Sequence, residues 1–86
     1  MTWKADTTHL EKTFTFKGFS EAVTFLEEVA RVADSAHHHP DVHLHSYNTL
    51  TFQLSTHEVK SITVKDHALA DAIDKLYSAH TLNEKE

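Results

Sequence analysis

Apolar residues recur with two different periods along this chain, and each change of period marks a predicted element. From Leu10 to Phe16 the apolar residues share one side of an extended chain, which is typical of a half-buried strand, and only Lys12 interrupts that face. A short partner strand is predicted around Trp3 to Asp6, joined through the polar pair Thr7-Thr8. The chain is therefore expected to open with two paired strands.

The period lengthens to that of a helix after Gly18. Ser20 is a favourable N-cap, and the pattern predicts an amphipathic helix from about Ser20 to Ala36. A second helix is predicted from the capping-box sequence at Thr63-Val64-Lys65-Asp66 to about Ala79. The predicted apolar stripe of the first helix consists of Phe19, Ala22, Val23, Leu26, Val29, Ala30 and Ala33.

Two further strands are predicted after Pro40, which cannot continue the first helix. Alternation predicts one strand over Val42–Tyr47 and another over Thr49–Thr56, with Asn48 at the turn between them. The order β-β-α-β-β-α predicts an α+β fold: a two-layer sandwich in which a four-stranded antiparallel sheet carries both helices on one face. Residues 1–86 are expected to form a single domain.

Composition narrows the classes of function. The 86 residues include no cysteine, which removes disulfides, thiolate nucleophiles and cysteine-based metal sites. A formal net charge of −5 argues against direct binding of a nucleic acid. No apolar run reaches membrane-spanning length and the N-terminus lacks the apolar core of a signal peptide, so a cytoplasmic protein without membrane contact is expected. A core this small also favours association into homo-oligomers.

Histidine carries the candidate chemistry, because five of the nine histidines fall between residues 37 and 45. Imidazole exchanges protons near neutral pH and also binds metals, so the cluster is open to both interpretations. The acid/base interpretation uses His38 and His39, held by Pro40 at a junction of helix and strand, with His57 beyond the end of the fourth strand. Because the third and fourth strands form a hairpin, these histidines are expected to meet at one end of it.

A metal site is the second interpretation. It rests on His43 and His45 on one strand face, with His37 or Asp41 as a third ligand. The spacing is permissive, and neither H-E-x-x-H nor a two-histidine-one-carboxylate pattern is present, so no metal is predicted. The third interpretation treats the histidines as solvent-facing polar residues, which are common on exposed strand faces.

Two carboxylates and one aromatic residue complete the candidate set. Asp34 lies in the last turn of the first helix, an unfavourable position for negative charge, which is a mild indication that it serves a site. Asp66 is first a helix-start carboxylate favoured by the helix dipole, and only second a site residue. Tyr47, at a predicted strand end, is open to a structural or a functional interpretation.

The spacing of these residues resembles that of one known family, the pterin-4a-carbinolamine dehydratases, also known as dimerisation cofactors of a homeodomain transcription factor. The resemblance spans nearly the whole chain, including Trp3, Phe14 to Phe19 and Ile62 to Ala70. The family pattern is an acidic residue, His-His-Pro, an aromatic residue, a histidine and an aspartate at set intervals. The matching residues here are Asp34, His38, His39, Pro40, Tyr47, His57 and Asp66.

The resemblance implies a hydro-lyase that dehydrates a 4a-hydroxytetrahydrobiopterin-type pterin to quinonoid dihydropterin and water, in tetrahydropterin recycling, with no metal or organic cofactor. It implies that His38 and His57 are acid/base groups on either side of the pterin ring, while His39 mainly positions substrate. Asp34 and Asp66 would orient histidines or contact the pterin. The full set of substrate-binding residues implied is Asp34, Pro40, Tyr47, Thr56 and Asp66.

Three departures from the family bear on these expectations. The chain begins close to Trp3, so the N-terminal helix of many members is expected to be missing. His37 stands where asparagine is frequent, and Lys60-Ser61 stands where Gly-Gly is frequent. Without those glycines the loop after His57 is expected to take another path, since positive φ becomes costly.

The family also carries roles other than catalysis. Members form homodimers and homotetramers, and some act as dimerisation cofactors or as assembly factors for Rubisco, so a non-catalytic module that binds a protein partner is the alternative function. Intact His38, His39 and His57 favour the enzyme, because an assembly factor has no chemical need for them.

Overall fold

The computed structural model describes the backbone of residues 3–85 and the side chains of residues 3–81. All four strands pair antiparallel in one sheet of order β1-β2-β4-β3, so α1 carries the chain from β2 across β4 to the edge strand β3. The predicted α+β class and sheet are confirmed. The elements are β1 (Lys4–Ala5), β2 (Leu10–Thr15), α1 (Phe19–Ala36), β3 (Asp41–His45), β4 (Thr49–Leu54) and α2 (Val64–Lys85).

Both helices cover the same face of the sheet, and the hydrophobic core lies between the two layers. Phe52 of β4 and Phe25 of α1 are buried and contact each other, and Phe14 of β2 packs against both rings. Within the described part of the chain, no helix is both long and apolar enough to span a membrane. The buried core consists of Leu10, Phe14, Phe16, Ala22, Phe25, Val29, Leu50, Phe52, Leu54, Leu69, Ala70 and Ile73.

The start of α1 differs from the prediction. Gly18, not Ser20, is the N-cap, and the first helical bond runs from the N–H of Ala22 to the carbonyl of Gly18. Glu21 supports this start because its carboxylate accepts from the N–H of Lys17 at 3.0 Å. Phe19 is 56% exposed, and Val23 and Ala30 of the predicted stripe are exposed as well, because the buried face of the helix is narrower than predicted. That face consists of Ala22, Phe25, Val29 and Ala33.

Other boundaries differ as well, and the fourth strand ends at Leu54 rather than at Thr56. The third strand ends at His45, because residues 46 and 47 adopt positive φ and form the turn into β4. The side-chain amide of Asn48 supports this turn by donating to the carbonyl of Phe16. The second helix continues past the predicted end at Ala79 to Lys85.

The loop after β4 keeps a left-handed residue despite the absence of glycine. Lys60 has φ 51°, and the turn it completes returns the chain so that Thr56 pairs with Ser61. This loop thus still uses positive φ, at the steric cost expected for a residue that carries a Cβ atom. The backbone bond from the N–H of Thr56 to the carbonyl of Ser61, at 2.9 Å, fixes the turn.

Substituting Lys60 with glycine is expected to stabilise the fold by about 1 kcal/mol, because glycine adopts positive φ without the steric cost of a Cβ atom. The measurement is the free energy of unfolding in urea. Lys60→Ala is the matched control, since it also removes the charge but keeps the Cβ. Equal stability of the two variants would contradict this explanation.

Lys12, the residue that interrupts the apolar face of β2, is accommodated by α2. Its ammonium lies 2.7 Å from Asp74 Oδ1 and over the ring of Phe14, 5.1 Å from the centroid. The indole N–H of Trp3 donates to the same carboxylate at 3.1 Å. Asp74 thus ties β1 and β2 to the helix layer.

Asp74→Ala is expected to destabilise the fold by about 2 kcal/mol, because the half-buried ammonium of Lys12 and the indole of Trp3 lose their shared carboxylate. Lys12→Met should cost less than about 1 kcal/mol, since an apolar chain of similar length fills the same space. Urea unfolding of both variants is the check. A larger loss in Lys12→Met than in Asp74→Ala would contradict the assignment.

Candidate functional site

The end of α1 sets the direction in which the histidine segment leaves the helix. His37 is the C-cap with φ 54°, and its N–H donates to the carbonyl of Asp34 at 3.2 Å. The N–H of His38 donates to the carbonyl of Ala33, also at 3.2 Å. These two bonds close the last turn as a Schellman motif does. His37 occupies the left-handed position of that motif, which glycine or asparagine often fills.

The histidine segment and the end of β4 lie at the same end of the hairpin. The β3–β4 ladder begins with the pair Asp41 and Gln53. Residues 38–40 precede Asp41 and residues 55–57 follow the end of β4 at Leu54, so they continue from the same end of the ladder as two arms. We call these the histidine arm, residues 38–40, and the turn arm, residues 55–57.

His38 contacts a buried carboxylate. Its Nε2 lies 2.6 Å from Asp66 Oδ1; the His38 side chain is 11% exposed and that of Asp66 is fully buried. Because an ionised carboxylate can only accept, Nε2–H of His38 is the donor. The other ring nitrogen, Nδ1, is then the atom of His38 that is left for chemistry.

Asp66 is held on its second oxygen by the start of α2 and by the turn arm. Oδ2 accepts from the hydroxyl of Thr56 and from the N–H of Thr63, each at 2.9 Å. Burial alone raises the pKa of Asp66, but the hydrogen bonds from His38, the Thr63 backbone and Thr56 outweigh it, so the pKa lies below its usual value. Asp66 is therefore an anion placed directly behind His38.

His39 makes a second pair, at the surface. Its Nε2 lies 2.9 Å from Asp34 Oδ1, and both side chains are exposed. An exposed pair of this kind contributes little to stability. The two predicted carboxylates thus each contact a different histidine of the histidine arm.

His38 and His57 line different pockets. His57 is exposed on the turn formed by residues 57–60 and borders a polar pocket of about 210 Å³ with Asp41, Gln53 and Lys60. His38 borders a pocket of about 300 Å³ between the two helices, whose other lining residues, except Lys65, are apolar. Thr56 is buried and its hydroxyl bonds to Asp66, whereas His57, the first residue of the turn, is exposed, so the two neighbours face different sides.

The remaining predicted site residues occupy three different places. Pro40 lies in the histidine arm, immediately before β3. The Thr56 side chain is buried and donates to Asp66, so it faces inward. Tyr47 lies on the turn at the opposite end of β3 from Pro40 and is 66% exposed.

The open face of the sheet carries His43 and His45, the two central residues of the metal interpretation, whereas His37 is the C-cap of α1. The rings of His43 and His45 lie side by side, with centroids 4.7 Å apart, and His45 Nε2 is 2.9 Å from the hydroxyl of Thr51. Across residues 3–81, no group of three or more histidine and carboxylate side chains lies close enough to hold a metal ion.

Thr63 is a residue at this site that the sequence prediction assigned only to the helix start. Its hydroxyl accepts from the N–H of Lys65 at 3.3 Å and lies 2.6 Å from the hydroxyl of Thr56. The predicted capping box is present, because the carboxylate of Asp66 reaches back to the N–H of Thr63. The signal was available in the sequence, since the aspartate of the capping box is also the aspartate of the site pattern.

The amino-acid sequence is similar to those of one family of known proteins. Residues 1–76 match the profile of the family described as pterin 4 alpha carbinolamine dehydratase. A Sulfurisphaera tokodaii protein is 47% identical over 74 residues, which cover 86% of this chain and 78% of the relative. A Herpetosiphon aurantiacus protein is 39% identical over 77 residues, which cover 90% and 79%. Both are named provisionally as pterin-4-alpha-carbinolamine dehydratases.

Solved structures share the architecture. The transcriptional coactivator/pterin dehydratase from Brucella melitensis has a TM-score of 0.80 at 28% identity, covering 86% of this chain and 80% of that one. A pterin dehydratase-like protein identified as a RuBisCO assembly factor in the alpha-carboxysome has a TM-score of 0.69 at 18% identity, covering 87% and 86%. The second similarity is one of fold alone.

Proposed function

The chain belongs to the pterin-4a-carbinolamine dehydratase family, and from that premise we propose that it dehydrates a 4a-hydroxytetrahydropterin to quinonoid dihydropterin and water. The observation that supports the proposal most is the 2.6 Å contact between His38 Nε2 and the buried carboxylate of Asp66. A histidine backed by a buried carboxylate is a suitable general acid and base near neutral pH.

The reaction needs one proton delivered and one removed. The hydroxyl on the 4a carbon leaves as water after it gains a proton, and the neighbouring ring nitrogen loses a proton to a base or to solvent. In the proposed mechanism, protonated His38 gives the proton on Nδ1 to the leaving hydroxyl, while Nε2–H stays bonded to Asp66. The carboxylate stabilises the imidazolium before transfer and holds the ring orientation throughout.

The pterin ring is proposed to lie between the histidine arm and the turn arm. These segments lie beyond the Asp41–Gln53 end of the β3–β4 ladder, so their backbone polar groups do not form hydrogen bonds within that ladder. In this arrangement His57 serves the second proton, and His39, oriented by Asp34, positions substrate. Pro40 borders the site in the histidine arm, while Thr56 contributes through the bond from its hydroxyl to Asp66, which acts from behind His38.

The test is the rate at which purified, chelator-treated protein speeds the loss of 4a-hydroxytetrahydropterin generated in a coupled hydroxylase assay. Acceleration over the spontaneous rate supports the proposal, and a lower rate in His57→Ala supports the two-arm arrangement. His43→Ala is the matched control, since His43 is an exposed histidine on the open sheet face. If the folded wild-type protein did not accelerate loss of the pterin, the enzyme proposal would be wrong and partner binding would become the first hypothesis.

A further inference from the structure

We propose that Thr63 is a positioning residue of this site, acting on His38 through the hydroxyl of Thr56 and the carboxylate of Asp66. The inference rests on the proposed function for its catalytic consequence, whereas the orientation of the His38 ring can be measured without any enzymatic assay. The same residue therefore begins α2 and orients the candidate acid.

The direction of each hydrogen bond follows from the bonds at the two ends of the chain of contacts. Asp66 Oδ2 can only accept, so the hydroxyl of Thr56, 2.9 Å away, donates to it. The oxygen of Thr56 is then left to accept, and it lies 2.6 Å from Thr63 Oγ1. Thr63 donates to it while accepting from the N–H of Lys65 at 3.3 Å. Every proton in the series points towards the carboxylate.

This series fixes the plane of the Asp66 carboxylate. Oδ2 is held from two directions, by the hydroxyl of Thr56 and by the N–H of Thr63, each at 2.9 Å. Because these two bonds restrict rotation of the carboxylate, Oδ1 stays directed at Nε2 of His38. His38 therefore keeps a proton on Nε2 in both protonation states, so Nδ1 is the nitrogen that gains and gives the proton in the proposed reaction.

Burial makes the arrangement sensitive to a single lost hydroxyl. Thr56 is 5% exposed and Asp66 is fully buried. Water therefore cannot easily replace a missing donor to the carboxylate. Without the Thr63 hydroxyl, Thr56 loses the donor that sets its own direction, and the carboxylate is held less tightly on that side.

Two substitutions of Thr63 separate positioning from helix capping. Asparagine is among the best N-cap residues, so Thr63→Asn keeps the helix start but lacks the hydroxyl, whereas Thr63→Ser keeps both. The first readout is the Nε2–H proton resonance of His38 in ¹H–¹⁵N spectra, assigned by its absence in His38→Gln. The second readout is kcat and KM in the coupled dehydration assay.

The wild type and Thr63→Ser are expected to show one downfield His38 Nε2–H resonance. Thr63→Asn should unfold at a similar urea concentration, yet its resonance should shift and broaden and its kcat should fall roughly ten- to hundredfold with KM nearly unchanged. Thr56→Val beside Thr56→Ser should repeat the pattern, which provides a second pair if Thr63→Asn does not fold. Loss of the resonance in Thr63→Asn supports the positioning role even if no dehydration is found in the wild type.

Three results would overturn the inference. In the first, Thr63→Asn keeps the wild-type resonance and kcat, which would make Thr63 a cap alone. In the second, the wild type is an active dehydratase but shows no Nε2–H resonance for His38. In the third, kcat and the His38 Nε2–H resonance change as much in Thr63→Ser as in Thr63→Asn. The first and second leave the proposed function intact, so failure of the inference is distinguishable from failure of the enzyme.

Discussion

Replacing His38 with alanine is expected to lower kcat/KM for dehydration by about 10²–10⁴-fold, the usual effect of losing one positioned acid/base group. The loss should fall mainly on kcat, because the imidazole takes part in proton transfer in the transition state more than in binding of the pterin. The measurement is steady-state kinetics in the coupled assay. Residual activity above the spontaneous rate is expected, since the two arms and His57 remain.

The control for this prediction is another histidine of the same cluster. His43→Ala removes an exposed imidazole from the open face of the sheet and should leave kcat/KM within about twofold of wild type, as expected for a surface change away from the site. If His38→Ala and His43→Ala were equally active, His38 would not be the acid of this reaction. A cooperative urea unfolding transition in each variant would confirm that both are folded.

Replacing Asp66 with alanine should destabilise the fold by about 3–5 kcal/mol, because three buried or half-buried donors lose their shared acceptor and each unsatisfied group costs about 1–3 kcal/mol. Its carboxylate is fully buried and is the shared acceptor for His38, Thr56 and the N–H of Thr63, all of which would lose their partner. A small domain has a total stability of only about 5–15 kcal/mol, so Asp66→Ala should be close to unfolding. Urea unfolding monitored by circular dichroism is the measurement.

Asp66→Asn provides the matched variant, and it makes a prediction about pH. The pKa of Asp66 lies below its usual value in the fold, so its ionised form stabilises the folded state above about pH 4, the pKa of an unfolded aspartate. That contribution is lost as the pH falls through the lower, folded pKa. The stability difference between wild type and Asp66→Asn should therefore shrink below pH 4. Parallel pH profiles of the two proteins would contradict this assignment.

Much of the fold could be predicted from local pattern, because each inward position is set by a period of two or of 3.6 residues. The β2 and β4 strands follow the predicted alternation, and the antiparallel sheet with both helices on one face is confirmed. Phe19 and Tyr47 show where local pattern was insufficient. Phe19 lies beside the buried face formed by Ala22, Phe25, Val29 and Ala33, and a turn with positive φ removed Tyr47 from its strand.

The sequence predicted which residues belong to the site more readily than how they are arranged. Spacing selected His38 and Asp66, but their contact depends on how the end of α1 meets the start of α2, which no local period encodes. The hairpin argument placed His57 at the same end as His38, but it did not show that the two side chains line different pockets. The role of Thr63 required the tertiary structure, because its capping function alone already explained its presence.

The measurement that tests the central claim most directly is the rate of 4a-hydroxytetrahydropterin loss with chelator-treated wild type and His38→Ala at equal concentration, both verified as folded. The account predicts clear acceleration by the wild type and a rate about 10²–10⁴-fold lower in the variant. Equal acceleration by both proteins, or none by the wild type, would contradict the assignment of His38, backed by Asp66, as the group that drives dehydration.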